Sequence, residues 1–280
     1  MRKTIYTGAA VALFALAIVS CKKSVKSDSA DVALLTDDEK ALVASAGFNR
    51  NWAERTTDGN FLIEGDILLS RAQLKEMAGA TPTHNFIVAD EEHYRTFNVV
   101  STPVSGVRTI TVSLGSGFPS YYSTALDNAL ARYNGYGLKI NFQRVSSGGE
   151  IAITGANLGT SGGGCILGQA SGFPSSSGNP SPGFTLSTSS CATTYINTVD
   201  KADEVMAHEI GHCIGFRHTD YKKRASCGRG PGESAGTIGA VYIPGTPTNV
   251  SGSYNSWMMA CTNGSPVFNA DDGIALNYVY

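Results

Sequence analysis

A short stretch in the second half of the chain contains side chains whose types and spacing fit metal chemistry. His208 and His212 are four residues apart, so on a helix both imidazoles lie on one face and can bind one ion. Glu209 lies beside them and points to the open coordination position. Gly215 can adopt the left-handed conformation that ends a helix, which lets His218 approach from another direction. Three protein ligands leave one position for water, as is typical of catalytic zinc.

The alternative is that these histidines are ordinary polar side chains or part of a structural zinc site. Three of the five histidines of the chain fall in this stretch, together with a glutamate and a glycine at matching positions. A structural site more usually has four Cys or His ligands, and it leaves Glu209 without a function. We therefore predict one catalytic Zn²⁺ bound by His208, His212 and His218, with Glu209 as the catalytic residue.

The stretch resembles the extended signature of the metzincin zinc peptidases, and Met258, within Ser-Trp-Met-Met, resembles their Met-turn. The sequences His-Glu-Ile-Gly-His, Phe-Arg-His-Thr-Asp and Ile-Pro-Gly-Thr-Pro resemble most the dual-action HEIGH metallopeptidases, which are similar to astacins. The likeness covers roughly residues 105–280. It implies a zinc endopeptidase with a twisted, mostly parallel sheet, an active-site helix and a Met-turn.

Two positions depart from the astacin pattern. Ala260 stands where astacins have a tyrosine that can reach the metal, and Thr219 follows the third histidine where they carry glutamate. The resemblance therefore places the chain near the astacins rather than within them. It assigns no tyrosine to stabilisation of the transition state.

The resemblance also implies a mechanism. Zinc polarises the scissile carbonyl and activates water, while Glu209 accepts the proton of the water and passes it to the leaving amine. An extended substrate would pair with the edge of a sheet, and we predict Glu150–Thr154 as that strand. A purely structural strand is the alternative for these residues.

A second resemblance lies in the front part of the chain. Astacin-like precursors are blocked by the aspartate of a Phe-x-Gly-Asp motif, whose carboxylate takes the place of water on the metal. Ile63-Glu64-Gly65-Asp66 is similar to this motif, with Ile63 in the Phe position. The likeness implies that Asp66 is a latency switch and that Gly65 lets the backbone approach the cleft. A simple Gly-Asp turn between strands is the alternative.

Periodic patterns around the motif predict an α+β domain. Apolar residues at helical spacing predict one helix that ends near Asn134 and a second, over 199–214, that carries the histidine motif. Strands are predicted at 107–114 and 138–142, followed by the short one at Glu150–Thr154. Residues 155–190 are dense in Gly, Ser and Pro and indicate loops with short strands.

The front part predicts a small helical pro-segment. Thr36-Asp37-Asp38-Glu39 has the capping-box pattern of a helix start, and a second helix is predicted from Ser70 to about Gly79. A short extended piece, 61–69, lies between them. Residues 94–103 have little periodic pattern and indicate a linker. Acidic side chains outnumber basic ones before residue 100, which also favours an inhibitory segment.

The first residues indicate export from the cytoplasm. Arg2 and Lys3 precede an apolar stretch, 9–19, that is too short to span a membrane. Cys21 ends a sequence similar to a bacterial lipobox, so we predict a lipid-modified N-terminus; ordinary secretion is the alternative. The predicted organisation is a signal peptide at 1–20, a tether and inhibitory pro-segment at 21–103, and a metallopeptidase catalytic domain at 104–280.

The remaining five cysteines lie in the second half, and outside the cytoplasm disulfides are the default interpretation. We favour pairing Cys165 with Cys191 and Cys227 with Cys261, which leaves Cys213 as a buried thiol. Spacing alone does not fix this connectivity.

Composition limits the partners. A formal net charge of −2 over 280 residues gives no reason to expect nucleic acid. We predict a protein or peptide substrate, a monomer, and membrane contact only through the lipid. His84 and His93 have no partner motif and are interpreted as solvated residues. Two rival functions stay open, another zinc amide hydrolase and a non-catalytic zinc-binding surface lipoprotein; the intact Glu209 disfavours the second.

Overall fold

Helices and strands alternate along the chain, and most of the strands join one sheet. The computed structural model describes residues 34–79, 93–228, 232–248, 254–262, 264 and 267–280, so Cys21 and His84 lie outside the described residues. The helices are α1 (Asp37–Ser45), α2 (Arg71–Gly79), α3 (Tyr121–Asn134), α4 (Ser190–Tyr195), α5 (Val199–Ile214) and α6 (Ala270–Val279). None of the described helices is long and apolar enough to cross a membrane.

The strands are short. They are β1 (Ala53–Arg55), β2 (Phe61–Ile63), β3 (Ile67–Leu69), β4 (Tyr94–Arg95), β5 (Arg108–Leu114), β6 (Ile140–Val145), β7 (Ile151–Ala156), β8 (Thr160–Ser161), β9 (Gly164–Cys165), β10 (Gly168–Ala170), β11 (Gly183–Ser187) and β12 (Val241–Tyr242). Eight of them form one sheet in the order β1-β2-β3-β10-β11-β7-β5-β6. The pairs β3/β10, β11/β7, β7/β5 and β5/β6 are parallel. This sheet and the helices confirm the predicted α+β fold.

The helix that carries the histidine motif begins and ends as its sequence predicts. The side chain of Thr198 accepts a hydrogen bond from the backbone N–H of Lys201 at the start of α5, and Gly215 ends it in the left-handed region, at φ 110°. Helix α1 has the predicted capping box between Thr36 and Glu39. Helices α2 and α3 also lie where the sequence places them.

The front segment contains a β-hairpin as well as helices. The single extended piece predicted over 61–69 is two antiparallel strands, β2 and β3, joined by Glu64 and Gly65 with φ of 57° and 94°. Strand β3 then pairs with β10 through Ile67 and Ala170. The pro-segment is therefore not purely helical, because its β1–β3 extend the main sheet. The domain boundary at residue 103 stays a prediction.

Two expectations for residues 93–103, the last part of the predicted pro-segment, are wrong. The stretch expected to be an irregular linker contains β4, which pairs with β12, and Val100 is buried in the core. His93 is not solvated but buried, with Nε2 3.0 Å from Oδ1 of Asp272. Neither contact is visible to periodicity, because the partners lie more than 140 residues further along the chain.

The strand proposed to receive the substrate cannot do so. Strand β7, which corresponds to Glu150–Thr154, is hydrogen-bonded to β5 on one edge and to β11 on the other. It therefore has no free edge for a peptide and is structural, the alternative left open above. The strands that contact α5 are instead β10 and β11.

Both disulfides of the predicted pairing form. Cys165 is bonded to Cys191, and Cys227 to Cys261. Cys213 is a buried free thiol, and burial raises its pKa. A protonated, enclosed thiol is a poor nucleophile, so this cysteine is a packing residue.

Tyr133 joins three parts of the structure that position the histidine motif. From α3 its hydroxyl donates to the backbone carbonyl of Ala207 in α5 at 2.7 Å and accepts from Nε1 of Trp257 at 2.8 Å. The side chain is fully buried, so neither partner can turn to water instead.

Replacing Tyr133 by phenylalanine tests this link. The change leaves a buried indole N–H without a partner, and we expect a loss of about 1–3 kcal/mol in the free energy of unfolding. Urea denaturation of the two proteins measures it. Tyr136→Phe is the control, because the half-buried Tyr136 has no such pair of hydrogen bonds to any residue that the structure describes. An equal loss in both variants would contradict the prediction.

Candidate metal centre

Helix α5 and the turn after it bring the three predicted ligands together. The Nε2 atoms of His208 and His212 are 3.1 Å apart. After Gly215, the backbone N–H of Phe216 still bonds to Gly211 O at 2.9 Å, so the chain reverses tightly and His218 returns to the same point. There the ring centroid of His218 is 4.9 Å from that of His212.

The second ring nitrogen of each histidine is held by a fixed acceptor. Nδ1 of His208 is 2.8 Å from Trp257 O, and Nδ1 of His212 is 2.9 Å from Phe216 O. Nδ1 of His218 contacts the carboxylate of Glu233 at 2.5 Å. When a metal is bound, protonation at Nδ1 leaves the Nε2 lone pair of each ring for the ion.

These atoms fit zinc. Tetrahedral ligands at zinc distances of about 2.0–2.1 Å are about 3.3 Å from one another, close to the separation of the first two nitrogens. The three histidines and Asp66 form a group whose ligand atoms all lie within 4.8 Å of one another. Soft-to-borderline nitrogen donors with one carboxylate are a zinc-type set. Zinc is the cofactor to which this group corresponds.

Asp66 lies against all three imidazoles. Its Oδ2 is 2.6 Å from Nε2 of His218, 3.5 Å from that of His208 and 3.6 Å from that of His212. Burial alone would raise the pKa of this carboxyl, but His218 and the imidazole hydrogen bonds outweigh it and hold the pKa well below its usual range. Within the described chain, its buried Oδ1 has no hydrogen-bond partner.

Glu209 is enclosed beside the same point. Its side chain is buried, and within the described residues Oε2 has no hydrogen-bond partner. Burial raises the pKa of Glu209 well above its usual range, and the charge of Asp66 adds to this. Gly168 makes room for it, because a Cβ there would lie 2.3 Å from Glu209 Oε1.

The turn that contains Met258 lies beneath the helix. A Cβ on Gly211 would come within 2.3 Å of the Met258 sulfur, so this glycine lets the turn pack directly against α5. Thr219 connects the third ligand to the turn, with its N–H donating to Met258 O at 2.7 Å and its hydroxyl 2.7 Å from that of Ser256. The arrangement is compatible with a Met-turn, which stays a prediction.

Glu233 is the functional residue that the sequence did not reveal. Besides His218 it contacts the guanidinium of Arg224, and against the effect of burial these two cations lower its pKa to about 2. It follows His218 by fifteen residues in a loop rich in glycine, where no spacing rule applies. Only a search for a buried carboxylate partner to the third ligand could have found it.

A cavity of about 430 Å³ opens beside the metal centre. Front-segment residues, among them Trp52 and Asp66, line it together with His208, Glu209 and Ala260. Cys21, the predicted lipidation site, lies outside the described residues. All other predicted site residues meet at this cavity or directly beneath it.

The family model described as dual-action HEIGH metallo-peptidase matches residues 61–280 of the chain. No curated protein matches significantly. Among solved structures, one of myroilysin is 21% identical, with a TM-score of 0.37, over 65% of this chain and 97% of its own. A zinc-protease hatching enzyme of medaka fish (Oryzias latipes) is 16% identical, with a TM-score of 0.27, over 45% and 51%. The family match includes both the histidine motif and Asp66.

Replacing Gly168 by alanine tests the position of Glu209. The new methyl group would displace the carboxylate, so we expect zinc content to be kept and casein hydrolysis to fall by about 100-fold, as for a small misplacement of a catalytic group. Zinc analysis and hydrolysis before and after limited proteolysis measure this. Gly164→Ala is the control, since a Cβ there meets nothing closer than Ser161 O at 3.6 Å. Unchanged hydrolysis by Gly168→Ala would contradict the placement.

Proposed function

The chain belongs to the dual-action HEIGH metallopeptidase family and is a zinc-dependent peptidase, and we propose that it is a metzincin-type endopeptidase made as a latent precursor. The observation that carries this proposal is the convergence of three imidazole Nε2 atoms next to the carboxylate of Glu209. His208, His212 and His218 are the ligands, and Glu209 is the catalytic residue.

Glu209 acts as the general base. When bound, zinc polarises the scissile carbonyl and lowers the pKa of a nearby water. The unpaired Oε2 of Glu209 accepts the proton of that attacking water and then delivers it to the leaving amine. Gly168 leaves room for the carboxylate, and the hydrogen bonds that Nδ1 of each histidine donates hold the rings still during both transfers.

An extended peptide can reach the metal along β10. One edge of this strand pairs with β11, while the other edge is taken by β3 of the front segment, with Ala170 N–H donating to Asp66 O at 2.7 Å. A substrate that replaces β3 gains the same backbone bonds whatever its sequence. Binding through the middle of a chain supports cleavage of internal bonds.

The front segment blocks the site with two acidic residues. Asp66 sits where the attacking water must be. Two residues earlier, both carboxylate oxygens of Glu64 lie 2.7 Å from Nη2 of Arg217, which is buried next to the third ligand. A paired, buried guanidinium and carboxylate resist separation, because removing one partner leaves a buried charge. We infer that Asp66 is the latency switch and Glu64 its anchor.

We propose that the enzyme acts outside the cytoplasm. The two disulfides favour an oxidising compartment outside the cytoplasm. We infer that residues 1–20 direct export and that Cys21 carries a lipid or is lost with the leader. The active form is a monomer with no nucleic-acid partner.

Glu209→Ala tests the activity. Loss of the base predicts a fall of about 10²–10⁴-fold in casein hydrolysis with zinc content unchanged. Mass spectrometry of the cleaved products shows whether internal bonds are cut. If the folded, zinc-loaded wild type cuts nothing either before or after proteolytic processing, the non-catalytic rival is supported. If it releases terminal residues alone, another zinc amide hydrolase is supported.

Asp66→Ala tests latency in the unprocessed chain. Removal of a charge-assisted contact of about 1.5–3 kcal/mol predicts a rise of about 10- to 100-fold in hydrolysis without proteolytic activation. Asp38→Ala, which removes an exposed acid from α1 of the same segment, is the control. If the unprocessed wild type hydrolyses casein as fast as its processed form, the latency proposal is wrong and the peptidase assignment is unaffected.

A further inference from the structure

We propose that Glu204 makes the cavity beside the metal centre select a lysine or arginine side chain next to the cleaved bond. This inference rests on the peptidase function proposed above and names its substrate class. Glu204 has no part in metal binding or in proton transfer.

Glu204 lies one helical turn before His208 on α5. Residues four apart share a face, and one turn advances about 5.4 Å, so the two side chains point into the same space. Both line the cavity of about 430 Å³, as does Glu209. A long side chain of a substrate residue at the reacting bond can span one turn and reach the Glu204 carboxylate.

The carboxylate is fixed by neutral donors. Tyr195 donates its hydroxyl to Oε2 at 3.2 Å, and the N–H of Gly264 donates to Oε1 at 3.0 Å. The hydroxyl of Thr262 also donates to Oε1. Glu204 is only 7% exposed, yet within the described residues no cation pairs with it. A carboxylate held rigidly without a counter-ion is a preorganised site for a substrate cation.

Two cations near this cavity, among the residues that the structure describes, are engaged elsewhere. The guanidinium of Arg224 contacts Glu233 and lies 4.9 Å from the ring centroid of Trp52. Nζ of Lys201 lies 4.6 Å from the ring centroid of Tyr195 rather than at the carboxylate. The negative charge at this end of the cavity is therefore available to a ligand.

The walls suit the stem of a basic side chain. Val205, Met259 and Ala260 line the cavity together with the ring of Tyr195. Lysine and arginine place their methylene groups along such apolar surfaces and their charge at a polar end. Arginine and lysine donate charge-assisted hydrogen bonds that an uncharged side chain of similar length cannot make.

The test compares internally quenched peptides that differ at one position. A first arm digests a mixed peptide library with the zinc-loaded, proteolytically activated wild type and reads which residues flank the cuts. Peptides with Lys, Gln or Glu at the preferred position then give three values of kcat/KM. We expect Lys to exceed Gln by about 10- to 100-fold, as for a charged hydrogen bond, and Glu to be cut most slowly.

Glu204→Gln then isolates the charge, because the amide oxygen can still accept from Gly264. We expect the Lys-to-Gln ratio to fall to near one while zinc content is kept. Asp200→Asn removes an equal charge from the exposed first turn of α5 and should leave the ratio unchanged.

Three results would overturn the inference. They are a wild-type preference for acidic or apolar residues at both flanking positions, an unchanged ratio in folded Glu204→Gln, or an equal fall in Asp200→Asn. If Glu204→Gln does not fold, the wild-type cleavage profile alone decides. If no peptide is cut at all, the peptidase proposal fails rather than this one.

Discussion

The structure depends on three imidazole rings that must present one nitrogen each to a single point. Such rings rotate about their side-chain bonds unless the other ring nitrogen is hydrogen-bonded. Here the acceptors come from three separate places: the turn below the helix, the helix end and the loop of Glu233. Two of these acceptors are themselves positioned by further contacts. Tyr133 and Thr219 position the turn, and Arg224 stabilises the charge of Glu233.

What the sequence could predict follows from how local each feature is. Local sequence predicts helix α5, its end at a glycine and the spacing of the three histidines, because each of these depends only on neighbouring residues. Asp66 came from resemblance to a known motif. Three features depend on residues distant in the chain: Glu233, the buried hydrogen bond between His93 and Asp272, and the occupied edges of β7. Local sequence patterns therefore predict the ligand spacing but not the distant residues that support it.

The front segment is integrated with the site and does not simply cover it. Its hairpin turns at Glu64 and Gly65, both with positive φ, and this tight turn brings two acids to two different targets. Asp66 faces the ligands while Glu64 meets Arg217, the residue next to the third ligand. One short turn thus contacts the three histidines through Asp66 and the buried Arg217 through Glu64.

The pairing of β3 with β10 also bears on solubility during biogenesis. An unpaired strand edge offers backbone groups on which another chain can add, and native proteins avoid leaving such edges open. While β3 is in place, the edge of β10 has a partner from its own chain. If the front segment is removed, as we propose, that internal partner is exchanged for an edge open to other polypeptides. The hydrogen-bonding surface that we propose for substrate is then also a surface for self-association, so a bound β3 protects the protein for as long as it is concentrated.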